Sequence, residues 1–191
     1  MQPPDGTENS AGDLSELSDA SLIARWQLGD QRAAAALVAR HAPALARFAA
    51  SCGVRDQVEE VVQDTFVRAF GSLAGFRADS TLRTWLFTIL RRLVLDRQRA
   101  EQRRRDDTDL DERHAVQEYN ALDTLVAEET ALRVREGVAR LSPMQREVFT
   151  LRVTEAMAYS DIAQVLGSTE GACRVHYHNA VRSVRGFLDD A

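Results

Sequence analysis

Arginine side chains are concentrated in one short part of the chain, residues 77–105, which holds nine arginines against three carboxylates. A guanidinium group presents a rigid fork of N–H donors that matches the oxygens of a phosphate. The apolar residues at helical spacing in this part are Leu82, Trp85, Leu86, Ile89, Leu93 and Val94. The pattern therefore predicts a basic amphipathic helix, and positive charge of this kind suits a nucleic-acid backbone.

A second helical pattern precedes the basic one and has the opposite polar character. Its apolar stripe consists of Val58, Val61, Val62, Phe66, Ala69 and Leu73. Glu60, Asp64 and Arg68 step by four along another face of the same helix. We expect this second face to be acidic and available for binding.

A third pattern, over residues 159–188, is typical of a helix-turn-helix. Ala163, Gly167 and Cys173 fall where the motif needs close packing, a turn with positive φ and an inward contact. Ser168 or Thr169 can cap the second helix. That helix is predicted to bury Cys173, Tyr177, Ala180, Val181 and Val184 and to expose Arg174, His178, Arg182 and Arg185. Any short two-helix corner in an all-α protein can give this pattern, so by itself it leaves the function open.

The rest of the chain supplies elements that must position these residues. Residues 1–17 are predicted to form a disordered arm, and a helix should begin at Ser18 and Asp19. A long alanine-rich helix over residues 33–50 contains Pro43, which predicts a kink. We interpret His41 as a surface or core-edge residue rather than a ligand. A Pro-Met-Gln sequence after Ser142 predicts another capped helix.

Composition limits the classes of protein. The 191 residues carry a net charge of −5, and all 24 basic residues are arginine, for which codon bias in a GC-rich genome is the favoured cause. No apolar run reaches the roughly 20 residues of a membrane span, so we expect no membrane insertion and a cytoplasmic location. Cys52 and Cys173 fit no metal spacing and are predicted to be reduced thiols. We expect no cofactor and no metal.

Four sequence segments resemble the extracytoplasmic-function (ECF) sigma factors, the small bacterial sigma factors that direct RNA polymerase to promoters. EVVQDTFVRAF at residues 60–70 and FRADSTLRTW at 76–85 resemble their region 2. LSPMQREVFTLR at 141–152 and YSDIAQVLGSTEGACRVHYHNAVRSV at 159–184 resemble region 4. The resemblance covers about residues 18–188. It departs at Arg92, Ala172, Val175, His176 and Asn179, so the promoter sequence is not readable from family averages.

The resemblance implies an all-α fold of two small helical domains: a region 2 domain over 18–105 and a region 4 domain over 129–191 with the helix-turn-helix. A flexible acidic linker over 106–128 would join them. It also implies three sets of binding residues. Core polymerase would meet Glu60, Gln63, Asp64 and Arg68. The minus-ten element would meet Phe76, Arg77, Asp79, Ser80, Arg83, Arg91, Arg92 and Arg99. The minus-thirty-five element would meet Arg174, Val175, His178, Asn179 and Arg182. Trp85 is a candidate stacking platform, but its place on the apolar stripe favours core packing.

The implied function is that of a sigma factor, not an enzyme: binding core polymerase, recognising both promoter elements and promoting DNA opening. One alternative is a sigma-like decoy that binds an anti-sigma factor without engaging DNA, although such a decoy need not keep Arg174 or the basic run. Another is an ordinary helix-turn-helix repressor, which leaves the polymerase-docking motif unexplained.

Charge also suggests regulation. Residues 106–129 hold nine carboxylates against Arg113 alone, directly after the basic run. The hypothesis is that this acidic segment folds back on the basic helix as a weak competitor of DNA, and the resemblance implies an anti-sigma factor as a further partner.

Overall fold

The computed structural model describes residues 14–73, 76, 80–106 and 125–189. Within those ranges the chain forms helices joined by short connections, with no strand, so the predicted all-α class is confirmed. The α-helices are α1 (Asp19–Gln27), α2 (Gln31–Ser51), α3 (Val58–Ser72), α4 (Leu82–Asp106), α5 (Leu125–Ala139), α6 (Pro143–Phe149), α7 (Tyr159–Leu166) and α8 (Glu170–Asp189). A π-helix over Thr150–Thr154 continues α6.

The start of α1 and its connection to α2 follow local rules. The Ser18 side chain accepts a hydrogen bond from the Ser21 N–H, as predicted for an N-cap. Gly29 has φ of 93°, a backbone conformation that favours glycine, and it ends the first helix. His41 is buried, and its Nε2 lies 2.9 Å from Asp19 Oδ2. This hydrogen bond is the main cause that lowers the pKa of Asp19. His41 therefore has a structural partner at the core edge.

Helix α2 runs through Pro43 without ending there. The contacts between Cα atoms divide the chain into two compact units, one ending at Pro43 and the next beginning at Ala44. The first unit holds α1 and the beginning of α2. The second holds the end of α2 and all later helices, including every predicted interface residue that the structure describes.

The core of the second unit differs in one respect from the predicted apolar stripe of α4. Leu82, Leu86, Leu93 and Val94 are buried as predicted, but Trp85 and Ile89 are only half-buried. Phe87 and Leu90 take their place in the core. The reason is packing from another helix: the ring of Phe87 meets Phe48 of α2 edge-on, with centroids 5.3 Å apart. On α3, Val61, Val62, Phe66 and Ala69 are buried as expected, while Val58 is half-buried.

Helices α5 to α8 pack in a second cluster in which α6, α7 and α5 all contact α8. Ser142 and Gln145 form the predicted capping box at the start of α6. After the π-helix the chain turns at Ala156, whose φ of 52° is unusual for a residue with a side chain. Cys52 and Cys173 are free thiols, and burial raises the pKa of each.

Several sequence predictions fall on residues outside the described ranges. These include most of the predicted arm, residues 1–17, and residues 107–124 of the acidic segment. Helix α5 already begins at Leu125, a few residues before the predicted boundary of the C-terminal domain. Among the described helices, none is long and apolar enough to cross a membrane.

Candidate protein-binding and nucleic-acid interfaces

The acidic face of α3 is exposed, but an arginine from α4 lies across it. Arg97 Nη2 is 2.9 Å from Glu60 Oε1 and 2.7 Å from Asp64 Oδ2. Its Nη1 donates to Gln57 Oε1 at 3.2 Å. The Glu60 and Asp64 side chains remain about half exposed, so their outer oxygen surfaces are still available to a partner. Arg97 thus fixes the direction of both carboxylates.

Apolar and cationic groups complete this face of α3. Arg68 is exposed, as predicted, and Gln63 is exposed as well. Val67 between them is among the most exposed large apolar residues of the described chain. Val67 lies one helical turn after Asp64, on the same side of the helix. The face therefore offers oriented carboxylates beside one exposed apolar side chain.

The start of α4 brings an aromatic pair together. Phe76 and Trp85 lie with ring centroids 5.0 Å apart, so the half-buried Trp85 packs on the loop that precedes the helix and not in the main core. The Thr84 N–H donates to Thr81 Oγ1 at the first turn. Ser80 is half-buried nearby, whereas Arg77 and Asp79 lie outside the described residues.

Two of the predicted DNA-binding arginines of α4 are engaged by carboxylates from the C-terminal helices. Arg83 Nη2 lies 2.6 Å from Glu155 Oε2, and Arg91 Nε lies 2.8 Å from Glu147 Oε2. Arg47 of α2 holds Glu155 as well, through Nε at 2.9 Å and Nη2 at 3.2 Å. By contrast, Arg92 and Arg99 are exposed, and Arg99 has only a loose contact of 3.6 Å with Asp96.

The helix-turn-helix has the predicted local geometry. Gly167 ends α7 with φ of 60°, and the Ser168 N–H donates to the Ala163 carbonyl at 2.9 Å. Thr169 Oγ1 accepts from the Ala172 N–H and so caps α8. Cys173, Ala180 and Val184 are buried, while Tyr177 and Val181 are half-buried.

The outer face of α8 presents the predicted readers. Arg174, Val175, His178 and Arg182 are exposed, and Asn179 is half-buried. Arg174 donates to Glu170 Oε2 at 2.8 Å, and its guanidinium carbon lies 5.0 Å from the centre of the Tyr159 ring. Arg182 Nη2 donates to Asn179 Oδ1 at 3.2 Å. These are short-range contacts at the helix surface, and they leave the outer face of α8 exposed.

Sequence reasoning missed Arg47, Arg97, Glu147 and Glu155. Arg97 was visible as a basic residue of the helix, but nothing marked its position over the acidic face of α3. Glu147 and Glu155 lie 56 and 72 residues from Arg91 and Arg83. No local pattern signals such pairs.

Comparison with known proteins identifies two regions of the chain. The model of sigma-70 region 2 matches residues 37–104, and that of sigma-70 region 4 matches residues 131–184. The RNA polymerase sigma factor CnrH of Cupriavidus metallidurans is 33% identical in an alignment of 183 residues, gaps included, that covers 91% of this chain and 96% of that protein. An ECF RNA polymerase sigma-E factor of Haemophilus influenzae is 28% identical in an alignment of 169 residues, gaps included, that covers 83% of this chain and 89% of that protein.

Solved structures agree with these matches. CnrH in complex with the cytosolic domain of CnrY is similar with a TM-score of 0.65 and 31% identity, over 90% of this chain and 97% of that one. The sigma factor RpoE of Bartonella quintana, in complex with the anti-sigma factor NepR, also has a TM-score of 0.65, with 29% identity over 80% of this chain and 94% of that one.

The two domain matches define a sigma-70-type initiation factor that contains regions 2 and 4. Within that class, the chain belongs to the ECF sigma factors of bacterial RNA polymerase. It is therefore a non-enzymatic transcription factor, and its partners are core RNA polymerase and promoter DNA.

Proposed function

We propose that three surfaces of the chain divide the work of promoter recognition. The exposed face of α3, with Glu60, Gln63, Asp64 and Arg68, docks on core polymerase. The start and the basic face of α4 engage the minus-ten element. Helix α8 lies in the major groove of the minus-thirty-five element. The domain over residues 18–105 carries the polymerase and minus-ten surfaces, and the domain over residues 129–191 carries the minus-thirty-five surface.

For polymerase docking, the main support is the arrangement on α3. Arg97 holds the carboxylates of Glu60 and Asp64 in fixed directions, and Val67 is uncovered beside them. Preorganised charge next to an exposed apolar group favours a specific protein partner over a plain solvated surface. Val67 is therefore added to the predicted docking residues.

For the minus-ten element, the proposed contacts are Phe76, Arg77, Asp79, Ser80, Arg83, Arg91, Arg92 and Arg99. Arginines of α4 would hold the backbone while an extruded base is bound beside the loop that precedes the helix. Unstacking a base costs a few kcal/mol, so binding to the opened strand promotes melting. Trp85 packs on Phe76, one of the proposed contacts.

For the minus-thirty-five element, Arg174 is the proposed guanine reader because its fork engages O6 and N7 together. Its contacts with Glu170 and Tyr159 orient the side chain in advance. Val175, His178 and Asn179 would touch neighbouring bases, and Arg182 a phosphate. The exposed basic face of α8 and the arginines of α4 also argue against a decoy, which needs only packing surfaces.

An anti-sigma factor is a further proposed partner, because the similar sigma factor RpoE is bound to the anti-sigma factor NepR in its solved structure. It would cover the α3 face around Asp64. We expect the protein to act in the cytoplasm, where polymerase works.

Transcription in vitro, with bacterial core polymerase and genomic DNA of the source organism, tests the assignment. The wild-type chain should produce start sites that core polymerase alone does not produce. Asp64→Arg should abolish stable association with core polymerase and the new transcripts, since it reverses a charge on an exposed face while leaving the packed side intact.

Glu59→Arg is the matched control, because Glu59 is also exposed on the first turn of α3 but lies outside the proposed contacts. It should co-purify with core polymerase at the wild-type level. Retention of Asp64→Arg at that level would overturn the docking assignment.

A further inference from the structure

The contact between α4 and the C-terminal helices is built from charged groups. Glu155 is almost fully buried, with 1% of its side chain exposed, and it accepts hydrogen bonds from both Arg47 and Arg83. Glu147 is buried as well and accepts from Arg91. Thr84 Oγ1 donates to Asp161 Oδ1 at 3.3 Å beside them. We call Arg47, Arg83 and Arg91 the arginine cluster.

The buried carboxylates of Glu147 and Glu155 need these arginine partners. Removing a carboxylate from water is unfavourable unless donors replace the lost solvent, and here each buried carboxylate has at least one guanidinium partner. Glu155 is also placed by its backbone: its N–H donates to the Thr150 carbonyl at the end of the π-helix, and Ala156 after it has positive φ. The irregular backbone between α6 and α7 therefore directs the Glu155 side chain to the cluster.

A guanidinium fork binds a carboxylate and a phosphate through the same donors. While Glu155 and Glu147 occupy Arg83 and Arg91, those two arginines have fewer donors free for a DNA backbone. The contact and the proposed minus-ten binding are therefore competitors for the same groups.

We propose that Glu155 and Glu147 are an internal substitute for DNA phosphates. In the free protein they occupy the arginine cluster and keep the C-terminal helices on α4, and opening of this contact exposes the cluster to the DNA backbone. The proposal rests on the proposed role of Arg83 and Arg91, and it adds Arg47 as a further backbone contact. In this proposal the groups that compete with DNA are Glu147 on α6 and Glu155 at the end of the π-helix. The acidic segment after residue 106, which the sequence suggested as a competitor, is not required.

Two readouts test it on the full-length chain: the radius of gyration from small-angle X-ray scattering, and the affinity for a fluorescein-labelled single-stranded oligonucleotide of unrelated sequence. The Glu147→Gln/Glu155→Gln variant should expand and bind the oligonucleotide at least about tenfold more tightly, because apparent affinity scales with the open fraction. Glu59→Gln/Glu136→Gln is the control, since it removes the same charge from exposed positions. It should stay compact and gain no more than about twofold.

Arg47 is tested in the open background. Adding Arg47→Ala to Glu147→Gln/Glu155→Gln should weaken oligonucleotide binding and lower the salt slope by about 0.7, the value for one phosphate contact on a single strand, measured between about 50 and 200 mM salt. An unchanged salt slope would show that Arg47 binds only Glu155, and it would overturn the proposed contact of Arg47 with DNA.

If the glutamine variant loses helix content, Arg47→Ala/Arg83→Ala opens the same contact from the other side and should raise the radius of gyration. Unchanged dimensions in both variants, or equal affinity gains in the glutamine variant and its control, would overturn the proposal. Because no promoter or polymerase is used, these outcomes are independent of the transcription assay.

Discussion

Helices α4 and α8 both carry arginines assigned to DNA, yet the two sets are held differently. On α8, Arg174 pairs with Glu170 one turn away and Arg182 with Asn179, all at the surface. On α4, Arg83 and Arg91 pair with buried carboxylates from another part of the chain. The outer face of α8 is thus exposed, whereas part of the α4 face is already occupied by carboxylates. Residue type and helical spacing are similar, and the difference lies in where the counter-charges come from.

The largest effect should come from removing the buried counter-charge. Glu155→Ala should lower the free energy of unfolding by about 1–3 kcal/mol, since breaking a buried ion pair costs more than breaking an exposed one. The value lies below that of a fully buried pair because the Arg47 and Arg83 side chains are 44% and 37% exposed. Glu170→Ala, which breaks the local pair on α8, should cost only about 0.3–0.5 kcal/mol. Urea unfolding measures the free energy of unfolding of both variants. Equal decreases would contradict the difference proposed between the ion pairs of α4 and α8.

The proposed contacts of α8 with DNA provide a second test of the comparison between α4 and α8. Arg174→Ala should weaken recognition at a single minus-thirty-five base pair by about 1–3 kcal/mol. Arg182→Ala should instead weaken all sequences alike and lower the salt slope by about one. Binding of holoenzyme to a set of single-base promoter variants distinguishes the two patterns. A uniform loss for Arg174→Ala would make it a phosphate contact.

The smallest effect concerns the hydrogen bond between Asp19 and His41 in the first unit. The hydrogen bond with His41 lowers the pKa of Asp19 below its ordinary value of 3.8, so its contribution to stability is present above that value and is lost as the pH falls through the folded-state pKa. Asp19→Asn should therefore cost up to about 1 kcal/mol at neutral pH. The difference from wild type should vanish in acid.

Thermal unfolding followed by circular dichroism, from neutral pH to about pH 3, measures this difference. Asp30→Asn, which changes a carboxylate paired with Arg25 in the same unit, is the control. A difference between Asp19→Asn and wild type that stays constant with pH would show that the Asp19 carboxylate acts only through its shape.

Local features of the fold were predictable because their causes lie within a few residues. The Ser18 cap and the Ser142 capping box each depend on a side chain and a backbone N–H three residues apart. The turn at Gly167 depends on the ease with which glycine adopts positive φ. The outward arginines of α8 follow from helical spacing alone. The family resemblance was also confirmed, since the motifs that carry it are continuous in the sequence.

Other features depend on tertiary packing and left no local trace. Phe87 replaces Trp85 in the core because Phe48 of α2 packs against it, and the spacing of α4 by itself allowed either. Glu155 reads in sequence as one more charged residue after an apolar run. Its burial is decided by Arg47 and Arg83, which are 108 and 72 residues away.

The backbone at Ala156 has a consequence for which sequences this position accepts. Its side chain is exposed, so neither packing nor solvent selects the residue. Its φ of 52° does, because a left-handed conformation disfavours β-branched side chains and favours glycine or asparagine. Ala156→Gly should be tolerated, and Ala156→Val should not, although both are made at the surface. The backbone turn that places the buried Glu155 therefore restricts which residues can occupy the exposed position 156.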